Sequence, residues 1–220
     1  MVVAIVRLLL ISLISLPLWA ADNTVEVRTK GSGTEILVDQ IGAGNTARVW
    51  CGLSDGTFDT HLCTNADIDI DQTGDGNLAK AYSQFTNHSN NEYTIQQEGD
   101  NNTAYLDLDY SNNVTTITQI GNDDYAEIYM GGDNNNYIIS QTGDDFYAKM
   151  YAFGDYSDWT ITQSGTGNHN AYIKSCGNCN NNDATITQSG SGAKDGDIEF
   201  KNNSSDNNTV NLTQSGNGAH

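Results

Sequence analysis

Asp67-Ile68-Asp69-Ile70-Asp71-Gln72-Thr73-Gly74-Asp75-Gly76-Asn77-Leu78-Ala79-Lys80-Ala81 alternates, turns and alternates again. Ile68, Ile70 and Gln72 stand two apart, so on an extended strand they share one face, and Asp67, Asp69 and Asp71 share the other. The Gly, Asp and Asn that follow accept the backbone angles of a tight turn. Ala79 and Ala81 then resume the alternation on a second strand. Such a strand, turn, strand unit buries its apolar face only against copies of itself.

The copies are present. Gln-x-Gly recurs eight times, at Gln40/Gly42, Gln72/Gly74, Gln97/Gly99, Gln119/Gly121, Gln141/Gly143, Gln163/Gly165, Gln188/Gly190 and Gln214/Gly216, with Gln-to-Gln steps of 32, 25, 22, 22, 22, 25 and 26 residues. Each of the eight glycines is expected in the turn that follows its Gln. A unit of this length, with insertions toward the ends of the array, predicts an all-β solenoid of stacked coils. Two residues before each Gln stand Val38, Ile70, Ile95, Ile117, Ile139, Ile161, Ile186 and Leu212, every one aliphatic. Four before stand Ile36, Ile68, Tyr93, Thr115, Tyr137, Trp159, Ala184 and Val210. Ala47, Ala79, Ala104, Ala126 and Ala148 fall seven residues after their Gln; in the next two repeats the phase slips by one, to Ala171 and Gly196, which predicts a longer or bulged turn there.

Ahead of the repeats, Arg7, the apolar run Leu8 to Leu18 and the small residues Ala20 and Ala21 have the order of a secretory signal peptide. The expectation is a leader over 1–21 and a single repeat domain over 22–220. The formal charge of −19 and the 9 Lys and Arg argue against nucleic-acid binding, which needs clustered cations on phosphates. The hydrophobic share, 37%, leaves room only for a thin, partly polar core.

Gln40-Ile41-Gly42-Ala43-Gly44-Asn45-Thr46-Ala47, Gln72 to Ala79 with Asn77, and Gln97 to Ala104 with Asn102 resemble the centre of the curlin repeat of curli fibre subunits, Ser-x5-Gln-x-Gly-x-x-Asn-x-Ala-x3-Gln. The resemblance extends over the whole of 22–220. The repeat's opening Ser is mostly Asn here (Asn91, Asn113, Asn135, Asn182, Asn208), its closing Gln is replaced, and its inner Asn gives way to Asp124 and Phe146. The resemblance implies a secreted β-solenoid that polymerises into adhesive extracellular amyloid fibres of the biofilm matrix. Its partners would be further copies of itself, a companion curlin subunit and the curli secretion and nucleation machinery, with no cofactor and no catalytic substrate. Independently, stacked Gln and Asn side chains are expected to form amide ladders along the stack, and no polar capping unit closes either end.

Other constellations are weaker. In an oxidising compartment Cys51, Cys63, Cys176 and Cys179 default to disulfides. Cys51 and Cys63 bracket the first insertion, and Cys176-Gly177-Asn178-Cys179 would staple a turn; a redox pair or half a zinc site is the alternative reading of that CxxC. His61, His88, His169 and His220 have no repeated acid or nucleophile beside them. Asp67, Asp69 and Asp71 form either a solvated acidic face or part of a calcium site.

The outward Thr pairs Thr116/Thr118, Thr160/Thr162 and Thr185/Thr187 resemble the flat Thr arrays of ice-binding solenoids, but Ile138 and Ser140 interrupt them. A monomeric ice- or surface-binding module is therefore the alternative function. The ends differ in kind. Asn23 to Arg28 alternates like a second strand without its first, and Val210 to Gln214 like a first strand without its second.

Overall fold

The computed structural model describes residues 22–29, 35–51, 67–83, 89–107, 111–153, 158–174, 183–199 and 209–217. The expected signal peptide, Cys63, Cys176, Cys179, Asn182, Asn208, His61, His88 and His220 lie outside the described residues, as does the side chain of Cys51.

Strands alternate between two walls. The first wall holds β1 (Thr24–Thr29), β3 (Thr46–Cys51), β5 (Leu78–Ser83), β7 (Thr103–Asp107), β9 (Tyr125–Gly131) and β11 (Ala152–Phe153). It is continued, through a bridge from Tyr147 to Asn170, by β13 (Ile173–Lys174) and β15 (Ile198–Glu199). The second wall is one eight-stranded sheet: β2 (Glu35–Ile41), β4 (Asp67–Thr73), β6 (Glu92–Glu98), β8 (Val114–Ile120), β10 (Asn136–Thr142), β12 (Asp158–Thr166), β14 (Asp183–Ser191) and β16 (Thr209–Gln214). Every pairing between named strands is parallel, and on the second wall Gln pairs with Gln at each step. The molecule is a β-solenoid, and the repeat register read from the sequence is the pairing register of the sheet.

The core fills the narrow gap between the walls. Ile70, Ile95, Ile117, Ile139, Ile161 and Ile186 line it from the second wall, and Ala47, Ala79, Ala104, Ala126, Ala148 and Ala171 from the first, all buried. The two walls compensate in size. Where the second wall carries the small Thr115, Met130 reaches across from the first, with Sδ 3.5 Å from the Thr115 hydroxyl.

Close stacking explains the glycines. All eight Gln-x-Gly glycines have positive φ, and a Cβ built on Gly121 (φ 147°) would lie 1.6 Å from the carbonyl oxygen of Gly143 in the next coil. No side chain fits between coils stacked so closely. Gly42, Gly74, Gly99, Gly121, Gly143 and Gly216 stand in bends, whereas the turn role expected of Gly165 and Gly190 needs correction. Gly165 and Gly190 lie inside β12 and β14, paired with each other in the sheet, and not in turns. In these two repeats the strands run on to nine residues, and the bend falls at further positive-φ glycines, Gly167 and Gly192. The extra residue is thus absorbed before Ala171, which stays fully buried in step with the earlier alanines. Gly99 also belongs partly to the ladder. It follows β6 directly, and its N–H still donates to Thr73 O of the preceding coil at 2.9 Å, as the Gly74 N–H does to Ile41 O. It is therefore the step from strand into bend, and the left-handed residue that turns the chain is Asn101 (φ 60°). What holds glycine at Gly99, Gly165 and Gly190 is the carbonyl of the next coil, which a Cβ would approach to 2.0–2.3 Å.

Candidate functional site

One side-chain chain runs the length of the second wall. Each Gln Nε2 donates to the Oε1 of the next coil's Gln, from Gln40 through Gln72, Gln97, Gln119, Gln141, Gln163 and Gln188 to Gln214, at 2.6–2.9 Å. The six inner members are buried, while Gln40 and Gln214 at the two ends are only partly covered. The second Nε2 hydrogen ties the walls together, as in Gln119 to Thr103 O (3.1 Å) and Gln141 to Tyr125 O (2.9 Å). Between two interior Gln rungs no amide group of the row is left without a partner, which is what permits burial of so polar a row.

The Asn row is built differently from the expected amide-to-amide ladder. Asn102 Nδ2 donates to Gly121 O of the next coil (2.8 Å), and its Oδ1 accepts the backbone N–H of Asp124 (3.0 Å). Asn45 and Asn77 repeat both contacts, with Gly74 O and Gly99 O as the carbonyl partners, so these three side chains stitch turn backbones together and do not touch one another's amides as Gln does. The row begins earlier than the Gln repeats reveal, at Asn23, which bonds Gly42 O and the Asn45 N–H. It also continues beyond the last Asn: Asp124, Phe146, His169 and Lys194 occupy the same buried position in later coils. Phe146 and His169 stack at 4.8 Å, and Lys194 Nζ donates to Gly216 O (3.1 Å), as an Asn would to its own next glycine. Burial pushes His169 below the ordinary imidazole value.

A further row, at the opposite turns, was visible in the sequence only as a departure from the curlin pattern. Asn91, Asn113 and Asn135 are buried, the Asn91 and Asn113 Oδ1 atoms accept the N–H of the next Asn in the row (2.8 and 2.9 Å), and Asn113 Nδ2 donates to Gly132 O. Their signal was an Asn six residues before the Gln in successive repeats, and Asn satisfies a stacked turn with both a donor and an acceptor.

The outer faces of the two walls are unlike. On the first wall the outward residues include Arg28, Arg48, Lys80, Lys149 and Lys174, so that every described Lys or Arg except the buried Lys194 lies on this face. The same face carries Trp50, Tyr82, Tyr105, Tyr125, Tyr129, Tyr147, Tyr151 and Tyr172, with contacts such as the parallel stack of Tyr125 on Tyr147 at 5.0 Å. The second wall presents Glu35, Asp39, Asp67, Asp69, Asp71, Glu92 and Glu98 on its first coils, then Thr rows broken by Ile138 and Ser140. Burial and then the neighbouring Asp71, Asp67 and Asp39 charges hold Asp69 above the usual carboxylate range; burial and then Asp39 do the same to Asp71. Among the described residues no three His, Cys, Asp or Glu side chains are grouped so as to hold a metal ion.

Among the described residues the two ends are offset. β1 pairs only with β3 on the first wall, and β16 only with β14 on the second, so each terminal strand keeps one edge that no described strand covers. Apolar residues stand exposed there: Val25 at 48% and Val210 at 37% of full accessibility. No protein-family model and no curated protein matches the chain.

Proposed function

We propose that this chain is a secreted structural subunit of curli type, which joins head to tail into extracellular amyloid fibres serving cell adhesion and the biofilm matrix. The observation that carries the reading is the offset of the two ends: a first-wall strand projects at one end and a second-wall strand at the other. Set end to end, the β16 of one copy would lie beside the β2 of the next, and the next copy's β1 beside β15, completing a coil by strand addition. Gln214 and Gln40, each partly exposed, would then join and carry the Gln row across the junction. A heterologous contact of this kind propagates a filament unless its rotation closes a ring. A companion subunit and a secretion and nucleation apparatus follow from the same reading, and the chain itself carries out no catalysis.

Incubating the purified protein and examining it by electron microscopy and fibre diffraction tests this. Expected are unbranched filaments with reflections at about 4.7–4.8 and 10 Å; a protein that stays monomeric at high concentration would sink the proposal. The outward rows Thr94-Thr116-Ile138-Thr160-Thr185 and Gln96-Thr118-Ser140-Thr162-Thr187 support a second reading, a monomeric ice- or surface-binding module. Thermal hysteresis of the monomer is the observation that would favour it.

A further inference from the structure

We propose that these assemblies also pair side by side, the basic outer face around Arg48 and Lys80 of one copy docking on the acidic outer face around Asp39, Asp69 and Asp71 of a second copy. The inference rests on the assembly reading above, and concerns a surface that head-to-tail joining leaves uncovered.

Charge is sorted by face and by level along the stack. Arg48 on β3 and Asp39 on β2 belong to one coil, and Lys80 on β5 and Asp69 and Asp71 on β4 to the next. A neighbour related by simple sideways translation brings the first wall of one copy against the second wall of the other at the same levels. Cations then face carboxylates coil for coil. Each charged row also has an apolar flank: Trp50 and Tyr82, ring centroids 4.7 Å apart, beside the cations, and Leu37 and Ile41, 49% and 57% exposed, beside the acids. Tyr, Trp and Arg are the side chains enriched where proteins dock.

The acidic face needs such a partner more than an ordinary solvated face does. It carries no Lys or Arg among the described residues, so Asp39, Asp67, Asp69 and Asp71 repel one another with no cation of their own face to offset them. On the basic face Glu26 engages Arg28 and, at 3.7 Å, Arg48, whereas Lys80 is held by the Tyr105 ring and hydroxyl and, among the described residues, by no carboxylate. Sheets packed face to face sit about 10 Å apart, within reach of Arg and Lys side chains from one and Asp from the other. Since the basic and acidic faces lie on opposite sides of the molecule, the contact is heterologous and leaves a free face of each kind, so it builds open ribbons or bundles of filaments.

The test separates growth along the filament from association across it. Seeded elongation rates and filament widths by negative-stain microscopy would be measured for the full chain, for Arg48→Glu/Lys80→Glu, for Asp69→Lys/Asp71→Lys, for the milder Asp69→Asn/Asp71→Asn, and for the four charge swaps combined. Each set alone is expected to leave elongation within about twofold while reducing laterally paired filaments at least fivefold, and the combined swap to restore them. Rising salt should speed elongation, which brings like charges together, and dissolve the pairing, which joins opposite ones. Pairing that persists in every variant, that the combined swap fails to restore, or that a chelator abolishes, as bridging by a divalent cation between acidic faces requires, would overturn the docking. If the wild-type chain forms no filaments, the assembly reading fails on its own; the docking is then read from sedimentation of the unpolymerised protein, and equal sedimentation of wild type and variants overturns it.

Discussion

Asp124 occupies a rung that Asn fills in the three coils before it. Its Oδ1 accepts the Phe146 N–H at 2.9 Å, as Asn Oδ1 atoms do elsewhere, but Oδ2 is buried with no hydrogen-bond partner where an Asn amide would donate to the Gly143 carbonyl. A carboxylate there loses its water and faces an acceptor; a protonated carboxyl can donate in place of the amide. Burial, aided by Asp144, Asp145 and Asp123 and opposed by the Phe146 N–H, pushes the group up to about 7. The folded state therefore holds a proton that the unfolded chain releases near pH 4, so stability falls as pH rises from about 4 to 7 and levels off above, by an amount on the order of 4 kcal/mol. Asp124→Asn should supply the missing donor. Urea unfolding is expected to show the variant equal to wild type at pH 4 and more stable at pH 8 by the amount the wild type has lost, about 4 kcal/mol. Parallel pH profiles for the two proteins would show that Asp124 is not the group responsible.

At the scale of strands and rows, the Gln row owes its place to identity between neighbours. Replacing Gln119 and Gln141 by Leu adds apolar volume to the core, yet it strips the Gln97 Nε2 of its ladder acceptor and the Gln163 Oε1 of its donor. Each orphaned buried amide group costs about 1–3 kcal/mol, and Leu packs in many registers where Gln rewards only one. The double substitution is expected to lower the melting temperature and to slow seeded fibre growth, as followed by dye fluorescence; wild-type kinetics would deny the row its role. How much of this was legible follows from chemistry. The Gln row, the inward aliphatic residues and the Ala positions could be read directly, because a fixed phase of similar side chains is what a parallel in-register sheet demands. The glycines could be found, but two of them could not be placed: Gly165 and Gly190 carry the same motif as Gly121, yet their strands run past them, because the longer connection to Ala171 and Gly196 moves the bend two residues on. Asp124 and Phe146 could be read as replacements of the repeat's inner Asn, but His169 and Lys194 were hidden, because they fall one residue later after their Gln and none of the four shares a chemistry. They share only a buried place beside a stacked turn, which a motif search for Asn passes over. The Asn91, Asn113 and Asn135 row stood in the sequence as a mismatch to a known repeat, and its meaning emerged only when its Oδ1 atoms met backbone N–H groups of the next coil.

Across the whole molecule, the inner rows and the outer faces are independent devices. The rows run along the stack axis and reach both ends, whereas the charges and aromatic side chains point away from it. Among the described residues, the ends of the stack are therefore set by the projecting strands β1 and β16 and by the edges of β2 and β15 beside them. β16 makes six register pairs with β14, ending in the Gln188 to Gln214 bond of 2.8 Å, so its removal uncovers the edge of β14 but leaves every other pairing in place. Deleting residues 208–220 is accordingly expected to preserve nearly all of the β signal in circular dichroism. The uncovered edge no longer matches the opposite end of a neighbour, because both walls would then end level at β14 and β15 while β1 still projects from the other end. An incoming β1 could still pair with β15, but the following β2 would have to meet β14, with connections shaped to enter and leave a β16 that is gone. Elongation should fall at least tenfold, measured as monomer loss onto preformed wild-type seeds, whereas the truncated protein should act as a poor seed from one end only. A truncated chain that is well folded and elongates at the wild-type rate would refute strand complementation at the ends and leave the exposed faces as the only route to assembly.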